Sequence, residues 1–119
     1  MKTRVVAIPE VIDYLNELVD ILYEKQYFSF EDSSVDYVVE IFEDIITNLP
    51  VKPSKPAPIK FDKYRKNMEY AAFRKNKHTT WYVFFDVYKE YEEKIFLVRH
   101  IENNHTAAQY LESGYLPGH

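Results

Sequence analysis

Residues 79–88, TTWYVFFDVY, and residues 94–101, KIFLVRHI, decide the fold. Aromatic and β-branched side chains crowd both stretches, which suits a pleated, half-buried surface. Neither leaves room for a helix's polar stripe, so both read as long central strands. Upstream, residues 68–74 alternate loosely and residues 75–78, KNKH, form a turn in which Asn76 tolerates a left-handed backbone. Residues 89–93 supply a second connection. The expectation is a three-stranded antiparallel meander.

The first half reads differently. Residues 3–8, TRVVAI, are β-branched and predict a short first strand. Pro9 suits the first turn of a helix, where its missing N–H costs nothing. Ile12, Leu15, Val19 and Leu22 then recur at helical steps, widened by Val11 and Leu18, with Asp13, Glu17, Asp20 and Glu24 opposite. The pattern breaks over 26–30. Asp32, Ser33 and Ser34 offer capping oxygens for a second helix. Its apolar face is Val35, Val38, Val39, Phe42, Ile45, Ile46 and Leu49, and Pro50 ends it.

Residues 50–58, PVKPSKPAP, hold four of the six prolines and predict an extended connector unable to donate to a ladder. Neither half can close a core alone, so residues 1–119 read as one domain. Its parts are a helical hairpin (1–50), a proline-rich connector (51–60), a meander with a short last helix over 107–111 (61–112) and a tail (113–119). The fold class is α+β, with the N-terminal strand and αα-hairpin packed on a C-terminal antiparallel sheet.

Composition narrows the chemistry. The chain has no Cys, hence no disulfide framework or thiolate. It shows no signal-peptide run or membrane-length apolar stretch, so a cytoplasmic protein without a membrane partner is expected. Its two glycines both lie in the last six residues, which rules out a glycine-rich phosphate loop. His100 and His105 are the closest His pair, with no carboxylate at a ligand spacing, so no metal and no cofactor are expected.

The net charge of −4 conceals a segregation. Residues 1–50 balance to −8, residues 51–80 to +7 and residues 81–119 to −3. A basic middle in an acidic chain focuses positive potential locally, where phosphate could bind.

The order strand, helix, helix, meander, together with TTWYVFF (79–85) and IFLVRHIENNHTAAQYL (95–111), resembles the RelE/ParE toxins of bacterial type II toxin–antitoxin systems. The resemblance covers nearly the whole chain. It implies a toxin held inactive by a cognate antitoxin. Its target is either ribosome-bound mRNA, which RelE-like members cleave, or DNA gyrase, which ParE-like members inhibit; a diverged member that mainly binds antitoxin, with little toxicity of its own, is the third alternative. Carried over by position, the catalytic candidates are Arg65, Arg74, His105 and Tyr110, with Lys60, Lys63, Lys66, Lys75 and Lys77 as RNA-binding residues. The chain departs from the family pattern at His78-Thr79-Thr80 and at Asn103-Asn104-His105, where arginines are usual.

Each candidate also has a structural account. The lysines suit a solvated surface. Arg74 lies beside a turn, and His105 can brace the last helix with Asn103 and Asn104. Trp81 and its aromatic neighbours read as core. Strand alternation sends Arg99 and His100 to opposite faces.

Overall fold

The computed structural model describes residues 1–24 and 31–105. Its elements are β1 (Lys2–Ala7), α1 (Pro9–Glu24), α2 (Glu31–Asn48), β2 (Lys55–Pro56), β3 (Glu69–Asn76), β4 (Thr79–Glu90) and β5 (Glu93–Asn103). The strands form one sheet in the order β1-β5-β4-β3-β2. The chain is α+β as expected, but the sheet is mixed rather than antiparallel. β1 joins it parallel to β5, with Lys2 opposite Glu93 and Ala7 opposite Val98. A parallel pair needs a long crossover, which both helices and the strands after them provide. The 26–30 break, the 107–111 helix and the tail lie outside the described residues.

α1 starts at Pro9, with the Ile8 carbonyl accepting from the amides of Val11 (3.0 Å) and Ile12 (3.2 Å). Its buried line is Val11, Leu15 and Leu18, while Ile12 is exposed. α2 begins at Glu31, so positions 32–34 fall inside its first turn, and Ser34 is fully buried. The line that meets the sheet is Val38, Ile41, Ile45 and Leu49; Val35, Val39 and Ile46 face outward. Both helices carry apolar residues over a wide arc, and only contact with the sheet selects its centre.

The sheet contributes Ala71, Phe73, Trp81, Val83, Phe85, Phe96, Val98 and Ile101 to this helix-side core. Trp81 is buried and its Nε1–H donates to the Tyr37 hydroxyl at 3.3 Å, so the indole is core. Each large side chain buried here is worth about 1.5–3 kcal/mol.

The connector does join the ladder. Lys55 and Pro56 pair with Tyr70 and Glu69 of β3 at the outermost edge, where a proline's missing donor faces no partner. The β3–β4 turn narrows to Lys77-His78, and Asn76 acts through its side chain: its Oδ1 accepts the His78 amide at 2.9 Å. Among the described residues, the left-handed non-glycine residues are instead Asn67 (φ 61°) and Tyr91 (φ 53°). Tyr91 is fully exposed in the β4–β5 turn, where it gains nothing for its backbone strain. Tyr91→Gly should therefore raise stability by about 1 kcal/mol, read from the urea midpoint at unchanged slope.

Candidate functional site

The sheet face away from the helices is not bare. Residues 57–68 cross it as a strap, closed where the Ala57 amide donates to the Met68 carbonyl at 2.9 Å. Phe61 and Met68 drive the strap down onto Tyr70, Tyr82 and Phe84, forming a second core. The Phe61 and Phe84 rings stack with centroids 4.2 Å apart. Asn67 takes the left-handed turn that returns the chain to β3, a conformation its short polar side chain tolerates.

A β-bulge then sets the chemistry. Phe84 of β4 is opposite His100, but Phe85 is opposite Val98, so Arg99 is an extra residue in β5. The bulge resets alternation, and Arg99 and His100 both reach the strap face instead of dividing between faces. The Arg99 guanidinium donates to Asp86 (2.9 Å) and to the Tyr88 hydroxyl (2.8 Å). Tyr88 donates in turn to Asp86 at 2.7 Å, and Arg65 from the strap stands 3.6 Å from the same carboxylate.

One residue further, His100 Nε2 lies 2.8 Å from Glu102 Oε1. A carboxylate only accepts when ionised, so Nε2 carries the hydrogen and Nδ1 holds the lone pair of the neutral ring. Tyr64 of the strap stacks on the imidazole, with centroids 3.8 Å apart and planes 10° from parallel. Lys63 Nζ lies 5.3 Å from the Tyr64 ring centroid.

The His100 pKa is pulled below its ordinary 6.5, chiefly by burial and also by the charge of Lys63, against the opposing hydrogen bond and charge of Glu102. Imidazole is thus the form at neutral pH, and a base is available. As pH falls below 6.5 the unfolded chain takes up the proton before the folded one does. The contribution of His100 to stability is therefore complete above that pH and is lost as pH falls toward the lower folded value. The urea midpoint should drop as pH falls through 6.5 and below it, and His100→Gln should flatten that slope.

β1 ends opposite Val98, while β5 continues to Asn103. The stretch of β5 beyond the end of β1 borders a cavity of about 450 Å³. Lys63 and Tyr64 of the strap, Arg99, His100 and Glu102 of β5, and Glu10 and Tyr14 of α1 line it. Among the described residues, no group of three His, Asp or Glu is placed to hold a metal ion.

The residues expected from the sequence divide among several places. Lys60 and Lys63 lie over the rings of Phe61 and Tyr64 on the strap, and Arg65 pairs with Asp86. Lys75 is on the helix side, bonded to Glu40 and over the Tyr37 ring. Lys66 and Lys77 are exposed. Arg74 staples the β3–β4 turn through the carbonyls of Asn76 (3.3 Å) and Lys77 (3.4 Å). His105 lies 3.3 Å from the Thr79 hydroxyl at that same end of the sheet. Asn104 locks β5 to β4, accepting the Thr80 amide and donating to the His78 carbonyl, both at 3.0 Å.

The cations therefore do not gather on one surface. Arg74 is opposite Thr80 and Arg65 is anchored at Asp86, six residues along β4 and about 20 Å away. Tyr110 lies outside the described residues. Sequence reasoning missed the Asp86–Tyr88–Arg99 group and the His100–Glu102 pair. The only available signal was the HIE triplet at 100–102, which does not reveal a bulge.

Comparison with known proteins finds no counterpart. No family model, no curated protein and no solved structure matches the chain. The site must be judged on its own geometry. Among the described residues, no helix is long and apolar enough to cross a membrane.

Proposed function

We propose that the chain is the toxin of a type II toxin–antitoxin pair and acts as a metal-independent endoribonuclease on the strap face. The toxin part of this reading rests on the sequence resemblance; the observation that supports the ribonuclease part is the bulge, which turns Arg99 and His100 to one face, where Glu102 and the strap residue Lys63 line the same cavity. Cleavage through the 2′-OH needs a base for its proton, cations for the charged phosphorane and an acid for the 5′ oxygen. His100 Nδ1 takes the proton, with Glu102 orienting the ring. The 2′ oxygen attacks phosphorus, Lys63 and Arg99 bear the developing charge, and the phosphorus–O5′ bond breaks. Tyr64 is the neighbouring hydroxyl that can protonate the leaving oxygen. The products are a 2′,3′-cyclic phosphate and a 5′-hydroxyl end, with no co-reactant consumed. A cognate antitoxin is the partner that would keep this site silent.

Induced expression should arrest growth, with translation falling before DNA synthesis in pulse labelling. Purified protein should cut RNA in the presence of EDTA and leave cyclic phosphate ends. A halt in replication with translation intact would reject the ribonuclease reading.

A second reading, a non-catalytic inhibitor of the gyrase kind, rests on α2. Val35, Val39 and Ile46 are 39%, 45% and 37% exposed on a helix rich in carboxylates, a surface suited to a partner with basic and apolar patches. Under that reading, Val39→Asp abolishes toxicity and His100→Ala does not.

A further inference from the structure

The wall that α1 gives the cavity has no task in the reaction just described. Val11 and Ile101, both buried to 4% exposure, line the cavity, and two polar side chains of α1 reach it. Glu10 and Tyr14 are four residues apart on one helix, so they sit side by side about a turn apart. Glu10 is exposed in the first turn and has no partner among the described residues. Tyr14 is partly buried, and burial together with the charge of Glu102 raises its pKa, so the hydroxyl keeps its proton and donates. The combination is an acceptor carboxylate beside a donor hydroxyl, flanked by apolar walls, in a space of about 450 Å³ that suits one nucleotide.

We propose that the α1 wall of the cavity is a guanine pocket: Glu10 accepts from N1–H and the exocyclic amine of the base, and the Tyr14 hydroxyl donates to O6. The proposal rests on the ribonuclease reading for the phosphate, which Lys63 and Arg99 hold. Guanine is the base that offers two adjacent donors beside an acceptor on its Watson–Crick edge. Adenine turns a lone pair at N1 toward the carboxylate and an amine toward the Tyr14 donor. Uracil and cytosine are smaller and lack the paired donors. Glu10 and Tyr14 are specificity residues and leave the acid–base steps to His100.

Two measurements on the intact chain test this. Calorimetric titration with 3′-GMP, 3′-AMP, 3′-UMP and 3′-CMP should show GMP binding at least about tenfold more tightly, as a two-donor base contact provides. Glu10→Gln should bring the GMP/AMP ratio near unity, and Tyr14→Phe should weaken GMP while leaving AMP unchanged. Cleavage sites mapped on a mixed-sequence RNA should lie next to G. Equal binding of the four nucleotides, or an unchanged ratio in Glu10→Gln, overturns the pocket. RNA cleavage without base preference also overturns it while leaving the ribonuclease reading intact. Guanine-selective binding without any cleavage supports the pocket and removes the ribonuclease.

Discussion

Replacing His100 with alanine is expected to slow RNA cleavage about 10²–10⁴-fold, the usual contribution of a positioned base. The imidazole is half-buried between Tyr64 and Phe84 and hydrogen-bonded to Glu102, so it is neutral and oriented before any substrate arrives. Glu102→Gln should also slow the reaction, with a signature of its own. Removing the carboxylate charge takes away what favours imidazolium, so the acid limb of the pH–rate profile moves to lower pH. Arg74→Ala and His105→Ala should leave the rate within a fewfold of the parent, because both residues sit at the hairpin end of the sheet. If cleavage survived His100→Ala and vanished with Arg74→Ala, the hairpin end would be the active site.

Phe84→Ala carries the largest stability penalty expected here, about 3–5 kcal/mol for removing a buried phenyl ring. Phe84 is fully buried, stacks on Phe61 at 4.2 Å, and lies 5.6 Å from the Tyr70 ring and 5.5 Å from the His100 ring. Its loss leaves the strap without its principal contact and His100 without one wall. Phe84→Leu keeps more of the volume and should cost less than about 1.5 kcal/mol, while still removing the ring stack. Denaturant titration ranks the two variants. The leucine variant, which stays folded, should still lose cleavage if the strap positions Lys63 and Tyr64 over the site. Full activity in a folded Phe84→Leu protein would show that the strap only covers the sheet.

The class of the fold was legible in local patterns. Pro9, the apolar periodicity after it and the ring-rich 79–88 stretch each point to one backbone state, because side-chain spacing and backbone period are linked within a few residues. The helical hairpin and the order of the three long strands follow from that. Lys60, Lys63 and Lys66 of the strap belong to the basic middle block visible in the sequence.

What the sequence by itself determined is therefore the identity of the elements and the segregation of charge along the chain. The tertiary structure alone decided three things. It placed β1 parallel to β5, it laid the 57–68 strap across the second face, and it put an extra residue into β5 at Arg99. The reason is physical. Pairing partner, face and bulge are set by contacts between residues far apart in sequence. A one-residue change of register sends Arg99 or His100 to the other face without altering any local propensity.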